Sequence, residues 1–299
     1  MKQAVIDVGS NSVRLLAMEE GRVLARGTIT TRLMNGVVDG QMERQAMETT
    51  ARAIEEHAQR ARAMGIERLY AFGTSAVRDA ANRGMLISRV RELCGLELEV
   101  MSGEQEAALA YAGAAPRGQS GVIDIGGGST ELLCGSEGRV LKSASAQLGA
   151  VRLMNRVGSD RDAEVLLGAA REMLAPAVRQ VQGAHAEGWI GVGGTITSLA
   201  AMDLQLEVYD PERIEGYPIS RAAAQHWLGR LCAMDVEQRC ALPGLQRRRA
   251  EIIAAGAAVL CAFFEAFPGA DCVRASEHDN LEGFLRMKAK QTRGIVDKT

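Results

Sequence analysis

The chain has 299 residues, with 35 Lys plus Arg against 37 Asp plus Glu, a formal net charge of −2, and 47% hydrophobic residues. That is length enough for about two domains with substantial cores, and the composition excludes a disordered or fibrous chain. The near-neutral balance and 4% aromatic content argue against a general nucleic-acid binder, which needs excess positive charge or stacking platforms. Only five of the cations are Lys. Forked guanidiniums suit phosphate, but a base-composition bias of the genome gives the same skew, so no function is drawn from it.

In chain order, Ala4–Val8 and Val13–Met18 are apolar runs joined by Gly9-Ser10-Asn11, which predicts a strand–turn–strand hairpin. Apolar residues at helical spacing predict a helix over Glu43–Met64, stopped at Gly65. A strand over Ile66–Phe72, a helix over Leu86–Cys94, a strand over Leu96–Met101 and a short helix over Gly103–Ala112 follow. Pro116-Arg117-Gly118-Gln119-Ser120 is the best linker in the chain. Gly121–Ile125 and Leu132–Cys134 then repeat the opening hairpin, and a strand over Arg139–Ala146, a helix over Ala163–Ala186 and a strand over Trp189–Val192 come next. Mostly helices run to Phe267, before a strand over Cys272–Ala275 and a helix over Leu281–Lys290.

The repeat of the hairpin is the most informative feature. Ala4-Val5-Ile6-Asp7-Val8-Gly9-Ser10-Asn11-Ser12 recurs as Gly121-Val122-Ile123-Asp124-Ile125-Gly126-Gly127-Gly128-Ser129, with the two aspartates 117 residues apart. A period that long is no solenoid. It predicts two similar domains, residues 1–117 and 118–299, each opening with the same hairpin, in an α/β protein of two mixed sheets.

Six cysteines, with no C-x-x-C pair and no His at ligand spacing, make a structural zinc site a poor expectation and point to a reducing, cytoplasmic compartment. The first residues reach Asp7 too soon for a signal-peptide apolar region. The longest apolar run, Ile252–Phe264, is 13 residues. It falls short of the roughly 18 a spanning helix needs, so a buried helix and no membrane partner are expected.

Three small-residue turns follow apolar strands: Gly9-Ser10-Asn11-Ser12, Gly126-Gly127-Gly128-Ser129-Thr130 and Gly191-Val192-Gly193-Gly194-Thr195. Small side chains let backbone N–H groups approach an anion. Asp7 and Asp124 sit next to two of these turns. A carboxylate there repels phosphate unless a divalent cation lies between them, so Mg²⁺ or another divalent cation is the economical cofactor. No Gly precedes Lys, no cluster completes G-x-G-x-x-G, no Cys has Arg six positions on, and no G-x-S-x-G occurs.

The hairpin pair and third glycine turn resemble the ribonuclease H-like superfold of sugar kinases, chaperone ATPases and actin, which implies two actin-like domains with an interdomain cleft. More closely, five segments in order resemble the exopolyphosphatase and guanosine pentaphosphate phosphohydrolase family, in its short two-domain form. They are Asp7–Ser12, Gly73-Thr74-Ser75-Ala76-Val77-Arg78-Asp79, Ser102-Gly103-Glu104-Gln105-Glu106-Ala107, Asp124–Glu131 and Gly193-Gly194-Thr195.

The resemblance implies that Glu106 is the general base and that Arg78 contacts phosphate; the residues alone read as a surface helix Glu and an Arg paired with Asp79. Asp124 and Glu131 match divalent-ion ligands, with Asp7 a further candidate. Asp124 ends one strand and Glu131 begins the next, so both can face one ion. Arg32 lies where the family places another phosphate-facing Arg. Ser10, Asn11, Ser12, Gly127, Gly128, Ser129, Thr130, Gly193, Gly194 and Thr195 would bind substrate through N–H and hydroxyl donors.

Near the C-terminus the family pattern Ser-x-x-Gly-Leu-Arg-x-Gly is here Ser276-Glu277-His278-Asp279-Asn280-Leu281-Glu282-Gly283, so a phosphate ligand is expected to be lost at Leu281. The implied activity is Mg²⁺-dependent release of orthophosphate from polyphosphate or guanosine pentaphosphate, with no nucleic-acid partner and a homodimer as a possible assembly. The competing readings are a kinase of the same superfold and a non-catalytic regulator that binds alarmone or polyphosphate. The last helix is able to pack back on the first domain.

Overall fold

The computed structural model describes residues 1–296. The chain divides into two compact units, Met1–Gly113 with the segment from Asn280, and Ala114–Asp279.

The first unit is built on β1 (Lys2–Val8), β2 (Ser12–Glu19), β3 (Arg22–Thr30), the short pair β4 (Val37–Val38) and β5 (Gln41–Met42), α1 (Arg44–Ala63), β6 (Arg68–Gly73), α2 (Ser75–Arg78), α3 (Arg83–Cys94), β7 (Leu98–Val100) and α4 (Gly103–Ala114). Its main sheet has the order β3-β2-β1-β6-β7. The first three strands form an antiparallel meander, and β6 and β7 extend it in parallel. Parallel neighbours need crossovers, and the amphipathic α1 supplies one, burying Met47, Ile54, His57 and Ala61. Strand β3 is absent from the sequence reading. It is an edge strand with mostly half-exposed side chains, so it lacks the apolar run that marks β1 and β2.

The second unit repeats the plan with β8 (Gln119–Ile125), β9 (Thr130–Ser136), β10 (Arg139–Ala146), α5 (Ala150–Val157), α6 (Ala163–Val181), β11 (Gly188–Val192), α7 (Gly194–Asp203), α8 (Pro211–Ile214), β12 (Pro218–Ser220), α9 (Arg221–Ala233), α10 (Val236–Cys240), α11 (Ile253–Ala266) and β13 (Cys272–Ala275). Its sheet runs β10-β9-β8-β11-β13-β12: the same meander, two parallel strands, and one antiparallel edge. Each unit is thus an actin-like, ribonuclease H-like α/β domain. The apolar run Ile253–Phe264 is fully buried and forms the centre of this core, with Trp189 edge-on to Phe263 at 4.7 Å. Helix α6 stops at Val181, five residues before its predicted end, because Gln182 leaves helical dihedrals. Gln119 and Ser120, expected in the linker, already belong to β8.

The last helix, α12 (Asn280–Val296), belongs to the first unit. Its Phe284 stacks on Phe72 at 5.1 Å, Glu282 pairs with Arg26 of β3, and Arg286 caps the end of α4 through the carbonyls of Ala112 (2.9 Å) and Gly113 (2.8 Å). Leu281 lies in a core cluster with Val5, Leu16, Phe72, Met101 and Leu109. This corrects the expectation that position 281 is a vacated phosphate site. The side chain there is a core leucine, 3% exposed. Leu281→Ala should therefore cost about 2–5 kcal/mol, and Leu281→Arg more, since its charge would be drawn from water. Thermal unfolding followed by circular dichroism checks this; a melting temperature for Leu281→Arg equal to the wild type would refute the packing.

Candidate active site

In the first unit the β1–β2 turn is closed by Gly9 N–H donating to Ser12 O at 3.0 Å. The turn is then fixed from outside. Asn11 O accepts from Thr31 N and Arg32 N, both at 3.0 Å, and Ser10 O accepts from Met34 N at 2.9 Å. Ser10 Oγ lies 3.1 Å from Ser75 Oγ at the start of α2. Arg32 takes a left-handed backbone (φ 52°, ψ 40°), uncommon for a side chain of its size, and its side chain is exposed. Strain at such a position is stored where surrounding bonds over-determine it.

Helices α2 and α4 bring two of the predicted residues together. Arg78 Nη1 donates to Glu106 Oε1 at 2.6 Å and to Met101 O at 3.1 Å. The contact with Asp79 is the longer one, 3.3 Å from Nε. Glu106 is 2% exposed, so it is not the surface helix residue that its sequence context also allows. A buried carboxylate aimed by a guanidinium is an oriented proton acceptor.

The two hairpins are in the same register, and this decides their chemistry. In the first, Asp7 stands directly across the ladder from Arg14; in the second, Asp124 stands across from Glu131. Directly opposed residues share a sheet face. Arg14 Nε donates to Asp7 Oδ2 at 3.0 Å, so the charge of Asp7 is met within the hairpin. The sequence reading also offers Asp7 as a cation ligand, and the Arg14 pairing engages its Oδ2. Asp124 and Glu131 are 6% and 2% exposed, and Glu131 Oε1 accepts from Ser145 Oγ at 2.8 Å.

The β8–β9 turn is clamped as the first is. Gly127 O accepts from Val151 N (2.8 Å) and Arg152 N (3.0 Å), and Arg152 Nε donates to Gly128 O at 2.6 Å. Ser129 is buried at its foot. The Thr130 hydroxyl, expected to face substrate, instead donates to Leu148 O at 2.6 Å and holds the turn.

The third turn leads from β11 into α7. Gly193 has φ 87°, and a Cβ there would lie 2.6 Å from Asp124 Oδ1, so only glycine leaves this space beside the carboxylate. Gly194 opens α7, whose N-terminus has no side-chain cap, and the Arg249 guanidinium occupies the space a Cβ would take. Thr195 is buried against Gly256. Arg249, Arg152 and Ser75 were not singled out from sequence. The signal available for Arg249 was the run Arg247-Arg248-Arg249 before the apolar helix, which taken alone reads as a solvated charge cluster.

Among the described residues no group of three or more His, Cys, Asp or Glu is placed to hold a metal ion. The Asp124–Glu131 pair nevertheless fits Mg²⁺, which is commonly bound by one or two carboxylates, waters and substrate phosphates rather than by a protein cage. The room that Gly193 leaves at Asp124 Oδ1 is consistent with it. No helix of the described residues is long and apolar enough to cross a membrane, and all six cysteines are free.

Comparison with known proteins gives the same direction. Residues 15–291 match the model of the Ppx/GppA phosphatase family. The chain is 35% identical to exopolyphosphatase 2 of Mycobacterium tuberculosis, covering 94% of this chain and 96% of that one. Its fold matches the crystal structure of an exopolyphosphatase-like protein (TM-score 0.91, 26% identity, 98% and 100% coverage). It also matches the Ppx/GppA family member of Aquifex aeolicus (TM-score 0.80, 29% identity, 98% of both chains). The chain belongs to the Ppx/GppA phosphatase family.

Proposed function

We propose that this protein hydrolyses terminal phosphoanhydride bonds with the help of a divalent cation, releasing orthophosphate from inorganic polyphosphate or guanosine pentaphosphate in the cytoplasm. The observation that carries the reading is the buried Glu106 paired with the half-buried Arg78: a pure binding protein needs no aimed proton acceptor. Glu106 takes the proton of the attacking water. Arg78 holds the Glu106 carboxylate in place and presents its remaining N–H groups to the phosphoryl oxygens. Ser10–Ser12 and the Arg32 side chain in the first unit, and Gly127–Ser129 and Gly193–Thr195 in the second, supply donors to phosphate oxygens from turns fixed in advance, so little reorganisation is left to the moment of reaction. Asp124 and Glu131 would hold Mg²⁺, which when bound neutralises charge on the phosphate oxygens. The exopolyphosphatase relative supports polyphosphate as substrate; the glycine turns accept the end of either polyanion.

Steady-state orthophosphate release from polyphosphate and from guanosine pentaphosphate tests this. Glu106→Gln should lower kcat about 10²–10⁴-fold with a smaller change in KM; an unchanged kcat would remove Glu106 from the chemistry. Stripping divalent ions with EDTA should abolish release, and Mg²⁺ should restore it. Release that survives chelation would refute the cation requirement, and binding without release by the wild type would favour a regulator.

A further inference from the structure

The turn that delivers Arg249 carries a second arginine that nothing above employs. Arg248 is half-buried, its Nε is shielded from solvent without an acceptor, and among the described residues its side chain makes no hydrogen bond or ion pair. Burial holds its guanidinium below the ordinary arginine value, and the group acting on it is the Tyr209 phenol, not a carboxylate. Other arginines of this unit have partners. Arg239, fully buried, pairs with Asp160 and donates to Leu231 O at 2.9 Å and Ala250 O at 3.1 Å, with only Nη2 left over; the half-buried Arg221 donates to the carbonyls of Phe264 and Pro268. A cation partly withdrawn from water and left without a partner disfavours the fold, and an anion that reaches it offsets that cost.

Its neighbours show which anion. Tyr209 lies in the field of both Arg248 and Arg249 and donates its hydroxyl to Glu277. Arg248 lies on the same short segment that places Arg249 on Gly194. We propose that Arg248 binds an inner phosphate of a polyphosphate chain whose terminal phosphate is taken by the turn Gly193–Thr195 of the same unit, and so favours chains long enough to reach it. The inference rests on the proposed polyphosphate substrate, but not on its hydrolysis.

The test is calorimetric binding of pyrophosphate, long-chain polyphosphate and guanosine pentaphosphate to the full chain, with melting temperatures measured without ligand. Arg248→Met should weaken long-chain binding about tenfold, leave pyrophosphate binding unchanged, and melt at or above the wild-type temperature, because an unsatisfied charge is gone. Arg248→Lys should recover part of the long-chain affinity. Unaltered long-chain binding, an equal loss for pyrophosphate, a loss confined to guanosine pentaphosphate, or a lower melting temperature for Arg248→Met would each overturn the assignment. If the wild type binds polyphosphate in this Arg248-dependent way yet releases no orthophosphate, the hydrolytic reading fails and this one stands.

Discussion

One ladder position, used twice, organises the chemistry. Across the first hairpin an aspartate faces an arginine; across the second, an aspartate faces a glutamate. Opposed unlike charges stabilise a strand pair, whereas opposed acids repel. The first hairpin therefore pairs its acid with Arg14, and the second sets two acids face to face. The family's two tasks divide accordingly in our proposal. The first unit carries the proton acceptor Glu106 with Arg78, and the second carries the carboxylates for the cation.

Placement depends on bonds that never touch substrate. Each hairpin turn is tied by the segment after the third strand of its own meander, through Asn11 O in one unit and Gly127 O in the other. The left-handed Arg32 is held in the first of these ties. In the second unit the buried Arg239 grips Ala250 O, the residue after Arg249, and so anchors the turn that lays Arg249 against Gly194. Such supports fix donors before substrate arrives, which is where most electrostatic catalysis originates.

Much of this was legible in the residues. The repeated hairpin announced two mixed-sheet domains because Asp and Gly kept register across 117 residues, and the three glycine turns marked where backbone donors lie. What stayed hidden depended on tertiary contact. Strand β3 is an edge, so its side chains carry no strong alternation. Asp7 and Asp124 look equivalent until the partner across the ladder is known. Thr130 looks like a donor to substrate until Leu148 O is found 2.6 Å away. Leu281 aligned with a family arginine, yet the fold of α12 turns it into the core with Phe72 and Leu109. Sequence position says which residue occurs, but not which face receives it.

In our proposal the carboxylate opposite Asp124 makes the second hairpin a cation site. Replacing Glu131 by Arg recreates the pairing of the first hairpin at an identical ladder position. Titration with Mn²⁺ as probe, followed by the loss of its free-ion electron paramagnetic resonance signal, measures the consequence without reference to turnover. The wild type should sequester Mn²⁺, and Glu131→Arg, shown folded by circular dichroism, should leave the free-ion signal undiminished. Undiminished Mn²⁺ uptake by the folded Glu131→Arg protein would contradict the account.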